Sequence, residues 1–231
     1  MDVKEIFMYP TKDKEWPVKM IIGIALSILP IVNFFCAGYA YRIFKAGLVR
    51  EPLEMPQWDD WGDLFIQGLI IFVLRFLYFL IPLAVMGSGA VFLVIAFVLK
   101  DRTGYFPEGM ILPGAVLIGV GLILAIVASV LFPMALATYA KSGERFGAAF
   151  RIWEIVPKII QALDDYFIAI VLMICVFFAY FILSVIPYIG ILFALLLSFY
   201  LKYLFYYGLF GSACAGAFEE SAAAETQTGA K

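Results

Sequence analysis

The sequence predicts an all-α, polytopic integral membrane protein, and three observations carry that prediction. Apolar residues make up 65% of the 231 residues and charged residues only 15%, against roughly half and a quarter in water-soluble domains. The mean hydropathy is +1.00. Four stretches, 64–99, 110–138, 167–186 and 188–218, are almost free of charge. Each reaches the roughly 20 residues that a helix needs to cross a hydrocarbon core of about 30 Å.

Composition also removes function classes. A net charge of -2 supplies no basic field, so nucleic-acid binding is not expected. The absence of histidine removes His-based acid–base catalysis and the helical zinc-protease motif. Cys36, Cys175 and Cys214 lie far apart in apolar runs and read as packing residues, with no metal site or cofactor indicated.

The elements follow in chain order. Residues 1–17 read as a cytoplasmic N-terminal segment, and 18–218 as a single helical membrane domain. The apolar stretch 18–47 is interrupted at Pro30, leaving arms of about 18 and 25 Å. It reads as a broken, re-entrant hairpin, the alternative being a fifth, kinked span. Hairpin topology puts the basic residues of 1–50 and 141–158 together with both termini on the cytoplasmic side and Lys100 and Arg102 opposite, a positive-inside pattern. The stretch 64–99 exceeds one straight crossing, and Pro82 and Gly87-Ser88-Gly89 offer places for a kink or a split. Small residues in 114–121 and 208–216 allow close helix contact, within or between subunits. Residues 219–231 are Ala/Glu/Thr-rich and read as a disordered tail. A weak repeat relates Ser27 to Asn33 with Ser184 to Gly190, shared turn chemistry being its plainer explanation.

Three places carry candidate chemistry. The run Trp58-Asp59-Asp60-Trp61-Gly62-Asp63 stands at the mouth of a span. Interfacial tryptophans and a capping aspartate explain it structurally. The spacing of Asp59, Asp60 and Asp63 also matches the aspartate pattern with which prenyl-diphosphate enzymes hold magnesium. The second acidic cluster such chemistry needs is represented only by Asp164-Asp165. In 142–165, Phe146, Phe150, Trp153, Pro157 and Ile160 recur at helical spacing, with Arg151, Glu154, Lys158 and Gln161 on another face. This predicts an amphipathic interfacial helix, with Arg151, Trp153 and Lys158 facing the headgroups or a partner. Finally, Arg75 lies about 17 Å into its span, near the midplane, with no acidic residue in any span to pair with it. Arg75, with Tyr78 and the snorkelling Lys202, forms a candidate ligand site for a lipid phosphate or carboxylate. The run from Tyr200 to Tyr207 reads as interfacial belt.

The Trp-Asp-Asp-Trp-Gly-Asp-Leu-Phe run follows a Pro-broken apolar stretch that ends in Gly38-Tyr39 and Arg42. In this the chain resembles domain-of-unknown-function family 4013, polytopic membrane proteins of archaea and bacteria, from Trp16 to Phe218. The resemblance implies a membrane location and a prokaryotic source, and it attaches no activity and no catalytic residue.

The sequence thus supports first a non-enzymatic membrane protein that binds or organises lipid, or a partner protein, at the cytoplasmic leaflet of the cell membrane. Its expected partners are the bilayer, an anionic lipid, a second copy or another protein. A small-solute or lipid transporter subunit is the second class, and a magnesium-dependent transferase acting on a prenyl or lipid diphosphate the third.

Overall fold

The computed structural model describes residues 3–104, 107–184 and 197–228, the last nine of these by backbone alone. Everything regular in it is helical. In chain order the helices are α1 (Val3–Lys12), α2 (Trp16–Ile28), α3 (Asn33–Leu48), α4 (Trp61–Thr103), α5 (Glu108–Lys141), α6 (Ile152–Gln161), α7 (Leu163–Ser184) and α8 (Tyr206–Thr228). A 3-10 turn (Phe146–Phe150) precedes α6, and a π-helical stretch (Tyr200–Phe205) leads into α8. Among the described residues three helices, α4, α5 and α7, are long and apolar enough to cross a membrane. The expected fourth stretch, 188–218, lies partly outside the described residues, as does the Ser184–Gly190 half of the weak repeat.

The chain divides into two compact units, residues 73–132 and the remainder. In the larger unit the centre is α3, where Cys36, Tyr39, Ala40, Tyr41, Ile43 and Phe44 are all buried. This helix is less apolar than α4, α5 or α7, yet those three expose most of their surface. The inversion is what a bilayer produces. Lipid tails accept Leu, Ile and Phe as readily as a protein core does, so apolarity does not draw a helix inward. Small side chains, backbone approach and hydrogen bonds do.

Close approach is visible at the glycines. A Cβ on Gly38 would run into the Leu64 carbonyl of α4, and one on Gly68 into the Phe34 carbonyl of α3. On another side of α3, a Cβ on Gly47 would stand 2.9 Å from the Ser212 nitrogen of α8, and one on Gly211 would overlap Phe44. The small residues of 208–216 therefore serve contact within the subunit. Gly114 and Gly121 do the same in the 73–132 hairpin, meeting Gly89 and Met86 respectively.

Around Pro30 the stretch 18–47 is two helices. Leu29 is extended (φ -92°, ψ 124°) and ends α2, and the arms pack back on each other, Cys36 Sγ lying 3.4 Å from the Gly23 carbonyl. The stretch is thus the broken hairpin expected at Pro30, not one kinked helix. Stretch 64–99, by contrast, neither splits nor stops at Pro82 or at Gly87 to Gly89, because α4 runs unbroken for 43 residues.

Other expectations are corrected. The N-terminal segment is not an appendage: Ile6 and Tyr9 of α1 are buried, and the Tyr9 hydroxyl donates to the Leu204 carbonyl. Residues 142–165 are not one helix. Gly143 and Glu144 take positive φ (72° and 61°), and Arg151 (φ -80°, ψ 73°) separates the 3-10 turn from α6. The tail is helical through Thr228, with Glu219 ion-paired to Arg50 at 2.6 Å. The tyrosine run is largely core rather than belt, since Tyr203, Phe205 and Tyr207 are buried, with the Tyr203 hydroxyl on Asn33 Oδ1 and the Tyr200 hydroxyl on the Phe7 carbonyl at 2.6 Å. Of the three cysteines, Cys36 and Cys214 pack as expected and Cys175 is exposed on α7.

Gly68→Val places a branched side chain against backbone that cannot yield. It is expected to lower stability by about 1–3 kcal/mol or to abolish folding. Gly87→Ala, where nothing lies within 4 Å, is expected to stay within about 0.5 kcal/mol of wild type. Thermal unfolding of the purified protein in one detergent compares the two.

Candidate functional site

The aspartate–tryptophan run sits in a clasp built by α2, α3 and the start of α4. The connection between α3 and α4 is extended, and it buries Leu53 and Met55. Buried Tyr39 receives it: its hydroxyl donates to the Pro56 carbonyl at 2.9 Å, and the Trp58 ring stacks on its face at 4.1 Å and 16°. The Trp58 indole N–H donates 3.1 Å to the Lys19 carbonyl of α2, and Trp61 continues the stack at 5.9 Å. Trp61 also meets Phe35 edge-on at 5.4 Å. The two tryptophans therefore serve to lock a loop onto α3 rather than only to mark an interface.

The three aspartates have separate tasks. Asp59 and Asp63 both accept from the Arg42 guanidinium, at 2.6 and 3.3 Å. The other oxygen of Asp63 accepts from Gln67 Nε2 at 2.9 Å, one helical turn on. Asp60 is the residue before α4. It adopts φ 47°, a left-handed conformation that Asp tolerates, its carbonyl accepts the Leu64 N–H at 3.1 Å, and its side chain faces the Asp63 N–H at 3.5 Å. The pattern that resembles a magnesium-binding run is thus organised around a guanidinium and a helix start. Among the described residues no group of three or more His, Cys, Asp or Glu is placed to hold a metal.

Beneath the clasp lies Lys19, whose side chain is only 4% exposed. Its ammonium donates to Asp13 Oδ2 at 2.5 Å and to the Met55 carbonyl at 2.9 Å, tying α2 to both the preceding turn and the following loop. The Lys19 hydrogen bond, helped by the Glu15 backbone N–H, holds the Asp13 carboxyl below its usual range. Lys19 escaped the sequence reading because its run reads as one more basic residue of a positively charged flank. No spacing rule links it to Asp13 and Met55, or Arg42 to Asp59 and Asp63, across turns of this length.

The second predicted surface is α6. Trp153 is 74% exposed, and Ile152, Val156 and Ile160 are exposed with it, while Ile155 is buried. Glu154 pairs with Arg151 at 3.2 Å, not with Lys158. Lys158 turns inward instead, its ammonium 4.4 Å from the centre of the Phe218 ring, and burial lowers its pKa. Of the three basic and aromatic residues expected at the surface, Arg151 and Trp153 are there and Lys158 packs against α8.

The third candidate, Arg75 with Tyr78 and Lys202, draws its residues from both units. Arg75 and Tyr78 belong to the 73–132 unit, both beside Phe132, and Lys202 belongs to the other unit, 4.9 Å from the Tyr203 ring.

The model of the family described as a protein of unknown function (DUF4013) matches residues 21–189. No curated protein and no solved structure matches the chain.

Asp13 supplies the test of the clasp. Its lowered folded-state pKa contributes stability at pH values above the unfolded carboxyl value near 4, a contribution that is lost as the pH falls through the folded value. Asp13→Asn, which leaves buried Lys19 without its counter-charge, is expected to cost about 1–3 kcal/mol at pH 7. The gap to wild type is expected to narrow as the pH falls below about 4 and through the lowered folded value of Asp13, where the wild-type carboxyl is protonated as well; unfolding curves in detergent at a descending series of pH values show whether it does.

Proposed function

The chain belongs to the family DUF4013, and on that premise we propose that it is a non-enzymatic membrane protein that binds and organises lipid at the cytoplasmic leaflet of the cell membrane, using α6 as the surface. The observation that carries this reading is the outward apolar stripe Ile152, Trp153, Val156 and Ile160 on a short helix, bordered by Arg151. Water gives such a stripe no return for its exposure. The boundary between headgroups and acyl chains does, since it takes apolar side chains on one side and the guanidinium on the other. Inward rotation of Lys158 onto Phe218 fixes which face of α6 looks out. The hairpin α2–α3 fits the same placement, because its turn exposes Ile28, Leu29 and Ile31, an apolar tip suited to dipping into the leaflet without crossing it. Both termini then lie on the cytoplasmic side with α6.

Support for a non-enzymatic role comes from the clasp. Two of the three carboxylates in the aspartate run are spent on Arg42, and the third starts a helix. These contacts give each carboxylate a role in folding that calls for no metal.

Trp153 reports on the reading directly. In full-length protein reconstituted with lipids brominated at the headgroup end of their chains, part of the tryptophan fluorescence is expected to be quenched, and Trp153→Phe is expected to remove that part. Unchanged quenching in the variant would mean that the α6 stripe does not touch lipid, and the stripe would then belong to a protein partner.

A further inference from the structure

Helix α4 is about 65 Å long at 1.5 Å per residue, twice a hydrocarbon core. Its register in a bilayer therefore cannot follow from its ends. Counting from Trp61 puts Arg75 about 21 Å in, deep in the apolar layer. Counting back from Lys100 puts it about 37 Å away, close to the distance between the two headgroup layers. The polar residues decide between the two counts. Asp63, Gln67 and Arg75 all fall in the first 15 residues of α4, whereas from 76 to 99 only Tyr78 and Ser88 are polar. In α5, residues 110–132 hold Ser129 alone, and Thr138, Tyr139 and Lys141 follow.

The unit 73–132 repeats this pattern as a structure. It is a hairpin of α4 and α5 sealed by Gly89 against Gly114 and Gly121 against Met86. Its charges stand only at its two ends: Arg75 at one, Lys100, Asp101, Arg102 and Glu108 at the other. Arg75 is exposed, and among the described residues its guanidinium makes no hydrogen bond or ion pair. It lies 6.0 Å from the centre of the Phe79 ring and 5.9 Å from that of Phe132, between two aromatic faces that attract a cation without using its N–H donors.

We propose that residues 73–132 are a bilayer-thick hairpin and that Arg75 stands at one phosphate plane, where it binds the phosphodiester of a membrane lipid. Beside Phe79 and Phe132, the exposed guanidinium keeps its N–H donors for a ligand, and their planar fork is suited to a bond to a phosphate oxygen pair. The cost of a lipid-exposed arginine at the midplane disappears in this register, because the charge is never in the hydrocarbon. The inference concerns the hairpin alone and is independent of α6: Trp153 quenching and the following measurements can fail separately.

The test uses full-length protein in phosphatidylcholine–phosphatidylglycerol nanodiscs, with the exposed Cys175 changed to Ser and spin labels placed at Phe76→Cys or Ser88→Cys. Paramagnetic relaxation by oxygen and by a water-soluble nickel complex gives each label's depth. The label at 76 is expected within about 5 Å of the phosphates and the label at 88 at the centre, about 20 Å further along the helix. A label at 76 in the centre, with the label at 88 displaced toward the far headgroups, overturns the register. Native mass spectrometry then reads lipid retention. Arg75→Leu is expected to lose phosphatidylglycerol adducts about tenfold and Arg75→Lys to keep most of them; equal retention in Arg75→Leu and wild type overturns the phosphate bond. The depth measurement leaves Arg75 in place, so it decides even if the substitutions prevent folding.

Discussion

The constraint on which the larger unit depends is the approach of α4 and α8 to the backbone of α3. Where Gly38 meets Leu64, Gly68 meets Phe34, and Gly47 and Gly211 meet Ser212 and Phe44, no side chain separates the helices. In water a core forms because apolar groups leave the solvent. Around α3 the contacts rest on dispersion between closely packed backbones and on satisfaction of polar groups. Helix α3 supplies both, with glycines for approach on two sides and Tyr39, Tyr41 and Arg42 for hydrogen bonds.

From that packing the clasp follows. Tyr39 and Arg42 are three residues apart on α3, so one exposed edge of the helix offers a stacking face and a guanidinium together. The tryptophan–aspartate run closes onto that edge, and Lys19 and Asp13 fasten it from below. A motif dense in carboxylates thus becomes a folding device, and the apolar surfaces left exposed are the stripe on α6, the tip of the α2–α3 hairpin and the long apolar faces. The π-helical stretch before α8 belongs to this economy as well. It brings Tyr203 to Asn33 and presents the Leu204 carbonyl to Tyr9, so that an irregular backbone is covered by two other helices.

Much of the architecture was legible in the sequence. An all-helical chain, long apolar spans, a break near Pro30 and an apolar face containing Trp153 all follow from hydropathy and proline chemistry. The family resemblance was legible too, through the tryptophan–aspartate run. Less legible was the interior. The tyrosine run reads as belt because tyrosine's ring and hydroxyl suit an interface, and nothing local reveals that Asn33 and the Phe7 carbonyl await those hydroxyls.

By itself, then, the sequence determined the solvent of this protein, the limits of three long apolar helices to within a few residues, and the family to which it belongs, because these depend on local composition and period. Only the tertiary structure decided that the less apolar α3 is the core while the more apolar helices face outward, that Arg42 gathers Asp59 and Asp63, and that Lys158 turns in while Trp153 turns out. Those outcomes depend on pairs of residues brought together from 17 to 60 positions apart. In a medium where apolar burial has no preferred direction, such pairings, and not hydropathy, choose the inside.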